Sequence, residues 1–325
     1  MITHHSSLET FHQQLDYVLA NYTPHGLKAS QFSNVFMGGL GGSGIGATIA
    51  KGYFANRFPI PVEVVNDYHI PAYVNEKTLV ILGSYSGNTE ETLSMFDEAI
   101  AKGAQIIVVS AGGELVKKAS AHNLKSYAIE TGYQPRMALG YSLGFLLKIM
   151  AELIDEAIDA DLNAAKESLQ NNDRLKDLAA EIGKKFQKNP GQRYTIITDG
   201  PFYGVAMRFA QQLNENSKVE AFVTPLPEGN HNVIESYYGK LPTNFVVLNS
   251  SSNERVSARF DFITALLERE NNTMAVIETE ELTLKVMFDI IYALDWHTIN
   301  ITEPLNVDPM EIENIISLKG YLSEV

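Results

Sequence analysis

The sequence predicts an α/β protein made of two doubly wound, parallel-sheet halves in tandem. From about Ser33, short apolar runs alternate with longer amphipathic ones, the pattern of strands joined by crossover helices. The alternation pauses over a polar stretch at 158–190 and then restarts. At 325 residues, the chain is also longer than one hydrophobic core ordinarily serves. The expected division is an N-terminal α/β domain over 1–157, a helical connection over 158–190 and a C-terminal α/β domain over 191–325.

In the first half, Asn34–Met37 reads as a strand, followed by glycines and a helix from about Ser43 to Phe54. Val62–Val65 and Leu79–Leu82 are the next strands, and a helix runs from about Thr89 to Ala101. Ile106–Val109 leads to a helix near Glu114–Ala121, and Ser126–Ile129 to a long helix beginning near Arg136. Residues 158–190 mix charged and amide side chains with Ala and Leu, which predicts one polar helix crossing between domains, ended by Asn189-Pro190-Gly191. In the second half, Tyr194–Ile197, Val219–Val223, Phe245–Leu248 and Met274–Ile277 read as strands, with a helix over Tyr203–Asn216. The loop Ser250-Ser251-Ser252-Asn253 follows the third strand there, as Ser84-Tyr85-Ser86-Gly87-Asn88-Thr89 does in the first half. This is the mark of a duplicated fold whose second copy kept only part of the loop.

Composition excludes several functions. The net charge of −14 would repel a phosphodiester polymer, so no nucleic-acid partner is expected. A small anion remains possible, because a few local donors outweigh a diffuse distant charge. There is no cysteine, hence no disulfide, thiolate nucleophile or Cys-based zinc site. His4 and His5 are adjacent near a terminus expected to be mobile, and no histidine pair has zinc-helix spacing, so no metal and no cofactor are expected. Met1–Ala20 has no apolar core of signal-peptide length, and Leu139–Leu153 is too short to span a bilayer. A cytoplasmic protein without membrane contact is expected.

Gly38-Gly39-Leu40-Gly41-Gly42-Ser43-Gly44 follows the first strand and opens a helix. Glycines let the backbone approach an anion, and the helix N-terminus offers free N–H groups. Gly39, Gly41 and Gly44 also satisfy G-x-G-x-x-G, with Asp67 near the place of a ribose-binding acid. Dinucleotide binding, monophosphate binding and a plain tight turn all remain open on this motif alone. The second loop separates them. Ser84, Ser86 and Thr89 put three hydroxyls beside another helix start, at the same end of the sheet as Gly42 and Ser43. Such a ring of neutral donors suits a monophosphate better than a stretched pyrophosphate. One hydroxyl would be enough to cap the helix.

Ser84-Tyr85-Ser86-Gly87-Asn88-Thr89-Glu90-Glu91, with the upstream Gly-Gly-Ser-Gly turn, resembles the sugar-isomerase (SIS) domain. From about residue 33 to its end the chain resembles, more narrowly, the bifunctional phosphoglucose/phosphomannose isomerases. That likeness rests on Gln134-Pro135-Arg136 with Ala138-Leu139-Gly140-Tyr141, on Leu213-Asn214-Glu215-Asn216-Ser217-Lys218, on Glu228-Gly229-Asn230-His231-Asn232 and on Leu318-Lys319. The resemblance implies metal-independent interconversion of glucose 6-phosphate, mannose 6-phosphate or both with fructose 6-phosphate through a cis-enediol.

Such a reaction needs a base to move a proton between C1 and C2, an acid/base pair to open the ring, and positive charge near the enediolate. A glutamate near a helix end is ordinarily a solvated residue; the resemblance makes Glu215 the base. An imidazole, with an ordinary pKa of about 6.5, suits ring opening. The resemblance gives that role to His231, reaching the active site of the neighbouring subunit in a homodimer. It also implies that Lys319, in the final helix, assists ring opening. Arg136 could place its guanidinium near the enediolate oxygen. The sequence departs from the family in one place: Asp308-Pro309-Met310-Glu311 stands where Asp-Pro-Thr-Pro is common, which puts the glucose/mannose balance in question. Two rivals stay open at this point, a non-catalytic sugar-phosphate sensor and an NAD-dependent dehydrogenase.

Overall fold

The computed structural model describes residues 2–237 and 241–324. Strands β1 (Asn34–Gly39), β2 (Val62–Val65), β3 (Thr78–Ser84), β4 (Gln105–Ser110) and β5 (Lys125–Ala128) form one parallel sheet in the order β2-β1-β3-β4-β5. Strands β6 (Tyr194–Thr198), β7 (Ala221–Pro225), β8 (Asn244–Asn249) and β9 (Thr273–Glu278) form a second, in the order β7-β6-β8-β9. The order is the same strand for strand, except that the second sheet has no fifth strand among the described residues. β3 and β8 are almost wholly buried, which is why they read as unbroken apolar runs.

Around the sheets, helices α1 (His4–Glu9) and α2 (Phe11–Asn21) precede the first strand. Helices α3 (Gly41–Phe54), α4 (Glu90–Ala101), α5 (Gly113–Ala121) and α6 (Leu139–Leu153) belong to the first half. Then come α7 (Asp159–Gln170), α8 (Asp173–Phe186), α9 (Tyr203–Ser217), α10 (Glu254–Arg269), α11 (Leu284–Asn300), α12 (Thr302–Leu305) and α13 (Glu313–Leu322). Sequence reading did not find α1 and α2. α1 is short and carries one apolar side chain, but α2 has an apolar stripe that was passed over: Leu8, Phe11, Leu15 and Val18 are buried.

The polar stretch 158–190 is not the single crossing helix expected. It breaks at Asn171-Asn172 into α7 and α8, each burying one apolar stripe. Both pack on α11, and α7 also packs on α2. The two helices therefore wall a core that runs without interruption from Leu8 through both halves to Ile301. At the break, the backbone N–H and the side-chain amide of Asn171 both donate to the Glu167 carbonyl, which closes the last turn of α7.

The shared core holds two histidines neutral. His4 is 1% exposed, and the expectation of a mobile terminus is corrected: α1 is capped by Thr3 and packs on α11. Burial, reinforced by Arg136 and Arg208 nearby, depresses its pKa to about 3. Burial alone depresses that of His297 to about 4. The unfolded chain protonates both rings below about 6.5, while the folded chain does not until far lower. Their contribution to stability is complete above about pH 6.5 and is lost as pH falls towards those folded values. Each ring should contribute a slope of at most about 1.4 kcal/mol per pH unit in that window. Urea midpoints measured between pH 7 and 5 should fall, and fall less steeply in His4→Phe and His297→Phe. Identical slopes in wild type and both variants would contradict this assignment.

Candidate functional site

In a sheet of order 2-1-3-4-5 the chain reverses direction between β1 and β3, and the loops leaving those strands open a crevice. The glycine turn leaves β1 and the Ser/Thr loop leaves β3. Their close approach is built on missing side chains. A Cβ on Gly39 would lie 2.8 Å from the Gly83 carbonyl oxygen, and one on Gly83 would lie 3.4 Å from Ser43 Cβ. Ser43 therefore sits between the two strand ends, buried, beside Ser84.

The hydroxyls of the second loop do not cap the helix. Thr89 is the N-cap of α4 but makes no side-chain cap bond; its Oγ1 lies 2.9 Å from Ser84 Oγ. Ser84 Oγ also accepts from Gly87 N (3.1 Å), and Ser86 Oγ accepts from Asn88 N (3.2 Å). Gly87 has φ +68°, and a Cβ there would fall 1.7 Å from Gly112 O, so only glycine lets this loop close on the next one. The start of α3 likewise has no side-chain cap. Two helix N-termini thus keep backbone donors available beside Ser43, Ser84, Ser86 and Thr89, a cradle that needs no cationic side chain.

Pro135–Ala138 is a 3-10 turn, and the long helix α6 begins after it, at Leu139 rather than at Arg136. Gly42 allows the turn to lie against α3: a Cβ there would be 2.8 Å from Pro135 O and 3.3 Å from Arg136 Cα. Gln14 Nε2 holds the turn from the other side by donating to Met137 O (2.7 Å). Arg136 is not a surface arginine; its side chain is 4% exposed. Its Nε donates to Asn216 Oδ1 (3.0 Å), one terminal nitrogen donates to Pro309 O (2.7 Å), and the other lies 3.5 Å from Glu215 Oε2. Burial lowers the Arg136 pKa, and Glu215 opposes that shift. Glu215, in the last turn of α9, is more open, with a side chain 29% exposed.

The structure brings Arg136 and Glu215 together, with Gly42 under the turn that carries the arginine and Ser43 next along α3. It does not bring His231 or Lys319 to them. His231 ends an exposed 3-10 turn, Glu228–His231, that packs on β7 and the neighbouring turn Val233–Tyr237. Lys319 lies on α13, none of whose residues is buried. No hydrogen bond or ion pair among the described residues links either to the pair.

Residues that sequence reading passed over complete the site. Lys218 Nζ donates to the Glu215 carbonyl (2.6 Å) and to the Glu311 carbonyl (2.7 Å), so it ties the end of α9 to the C-terminal segment. Burial and nearby Arg136 lower its pKa. The departing segment Asp308–Glu311 does meet the site: besides Pro309 on Arg136, Met310 O accepts from Gln134 Nε2 (3.1 Å). These contacts are made by carbonyls, which any residue supplies, so no side-chain signal pointed to them. Asp67 is exposed and accepts from its neighbour Tyr68 N.

The second half repeats the strand-end loops but satisfies them from within the chain. Asp199, the residue after β6, is 3% exposed. Its Oδ2 accepts from Ser250 N (3.1 Å) and Ser250 Oγ (2.5 Å), and Ser250 Oγ also meets Ser252 Oγ (3.0 Å). Asn253 is spent capping α10 through Arg255 N and Val256 N. The Ser250 donors are here satisfied by a carboxylate of the chain itself, where the first loop has only its own hydroxyls. Ser250→Ala should leave fructose 6-phosphate affinity unchanged. Each lost donor in the first loop should cost about 1.5–3 kcal/mol, so Ser86→Ala and Thr89→Ala should weaken it by roughly tenfold or more. Isothermal titration of the three variants is the test, and unchanged affinity in both first-loop variants would remove the phosphate assignment.

Tandem SIS domains are the class that this fold and its paired crevices define. The SIS domain model matches residues 30–143, and the model described as "Bacterial phospho-glucose isomerase C-terminal SIS domain" matches residues 175–322. The fold is shared with the C-terminal domain of glucosamine-fructose-6-phosphate aminotransferase from Francisella tularensis, at TM-score 0.74, 14% identity, and coverage of 95% of this chain and 98% of that one. The bifunctional phosphoglucose/phosphomannose isomerase of Aquifex aeolicus is 31% identical over 98% of this chain and 97% of its own length. That of Caldicellulosiruptor bescii is 32% identical over 92% of each. The chain belongs to the bifunctional phosphoglucose/phosphomannose isomerase family.

Proposed function

We propose that this protein interconverts glucose 6-phosphate and mannose 6-phosphate with fructose 6-phosphate, without a metal, through a cis-enediol. The observation that carries this reading is the Glu215–Arg136 pair at 3.5 Å, beside an uncapped hydroxyl loop. Ser43, Ser84, Ser86, Thr89 and the Gly42 backbone hold the phosphate. The carboxylate of Glu215 takes the C2 proton and returns it at C1. The guanidinium of Arg136 faces the oxygen on which charge develops. Glucose and mannose forms differ only at C2 and give one enediol, so one base serves both.

His231 and Lys319 open the ring. His231 does so in the neighbouring subunit of a homodimer, which accounts for its place on an exposed turn away from Glu215. The outward Ile316, Leu318 and Tyr321 of α13 support a second copy as the surface they meet. Family membership counts against both a sensor and a dehydrogenase, and the paired charges count further against the sensor, since binding alone requires neither a base nor a buried guanidinium. No helix among the described residues is long and apolar enough to cross a membrane. Phosphorylated sugars are held inside cells, so we place the enzyme in the cytoplasm, in carbohydrate metabolism at the entry to glycolysis.

Coupled assays with glucose 6-phosphate, mannose 6-phosphate and glucosamine 6-phosphate, run in parallel with EDTA throughout, test the reading. Turnover of the first two alone is expected. Turnover confined to glucosamine 6-phosphate, or activity lost to EDTA and restored by zinc, would overturn it.

A further inference from the structure

The Arg136 guanidinium and backbone are both held from one face of α11, a helix of the opposite half. Asp295 and Thr298 are three residues apart on that helix and so share a face. Asp295 Oδ2 accepts from Arg208 Nε (3.2 Å) and from an Arg208 terminal nitrogen (2.6 Å). That same terminal nitrogen donates to the Arg136 carbonyl (2.9 Å). Thr298 Oγ1 accepts from Asn216 Nδ2 (3.0 Å), and Asn216 Oδ1 in turn accepts from Arg136 Nε (3.0 Å). Thr298 Oγ1 also donates to the Asp295 carbonyl (2.7 Å), which joins the two branches. Arg208, Asn216, Asp295 and Thr298 are all buried, at 3% exposure or less.

A buried ion pair is a poor source of stability, because desolvation cancels most of the attraction. Its use here lies in direction. An arginine has several rotatable bonds and would otherwise sample many poses; two fixed acceptors and a clamped carbonyl leave it one. We propose that Asp295 and Thr298 are positioning residues for Arg136, acting through Arg208 on its backbone carbonyl and through Asn216 on its guanidinium. The inference rests on the catalytic role proposed above for Arg136. The second half of the chain thereby sets the geometry of a residue that the first half supplies.

Thr298→Val keeps the shape and removes the acceptor, and Arg208→Lys keeps the charge and removes the fork. Misplacing a catalytic group by a fraction of an ångström is costly, so each should lower kcat by about tenfold with KM within about twofold. In an Arg136→Ala background the same changes should cost nothing further, because the group they position is gone. Nitrogen-15 NMR of the Arg136 Nε–H, which reads position without activity, should show slow solvent exchange in the wild type and faster exchange in Thr298→Val. Wild-type kcat and unchanged exchange in Thr298→Val would overturn the proposal, as would losses that persist at full size in Arg136→Ala. Wild-type turnover in Arg136→Ala alone would instead remove the catalytic role of the arginine, and the exchange measurement would still decide whether α11 positions it.

Discussion

Glu215→Gln is expected to lower turnover by about 10²–10⁴-fold, the usual range for a lost general base, and to abolish exchange of the substrate C2 proton with solvent. The amide keeps the shape of the carboxylate and its distance from Arg136 but cannot accept a proton at neutral pH. Loss of the base acts on the step after ring opening, so supplying the open-chain sugar does not restore it. His231→Ala differs in kind. It removes the proposed ring opener, which would matter only for the cyclic form, and a small open-chain fraction exists in solution without help. Overall turnover should fall while some C2 exchange persists. Coupled assays together with proton NMR of the substrate in D₂O separate the two variants. Exchange at the wild-type rate in Glu215→Gln would show that another residue is the base.

Arg136→Ala should cost about 10²–10³-fold in kcat, the scale of a lost donor to a developing oxyanion. Lysine should recover little of it. Three nitrogens of Arg136 are directed at three different groups: Asn216 Oδ1, Pro309 O and the Glu215 carboxylate. An ammonium is a point charge without that fixed fork and would leave at least one buried acceptor unmatched. The loss should fall on kcat more than on KM, since the phosphate contacts proposed for the two loops would be alike in the ground state and the transition state. Steady-state kinetics of both variants checks this. A lysine enzyme with wild-type kcat would mean that charge alone, without geometry, is what Arg136 supplies.

The inner strands β1, β3, β4, β6 and β8 were legible because parallel strands buried on both faces read as short apolar runs, and β3 and β8 fall within a residue or two of where those runs lie. β7 was placed two residues early, because Val219 is buried before the strand begins and extends the apolar signal. The two loops that meet at the crevice were legible through their glycines and hydroxyls. What holds Arg136 was not. Arg208 sits between apolar neighbours on α9, Asn216 lies in the polar last turn of that helix, and Asp295 and Thr298 interrupt the apolar run of α11. Charged and polar side chains inside such a run are the signal that could have been used, since they stay buried only when paired. The pairing itself joins residues 136, 208, 216, 295 and 298 across both halves, and local pattern carries no record of that. His4 shows the same limit: its neighbours in sequence are polar, and only the packing of α1 on α11 explains its burial.

The proposed reaction moves a proton between C2 and C1 of an aldose 6-phosphate. Proton NMR of glucose 6-phosphate with the wild-type protein in D₂O measures this directly. The account predicts that fructose 6-phosphate appears, that deuterium enters C2 of the recovered glucose 6-phosphate, and that mannose 6-phosphate accumulates from the same enediol. Glucose 6-phosphate left unchanged, with its C2 proton intact at an enzyme concentration that binds it, would contradict the account.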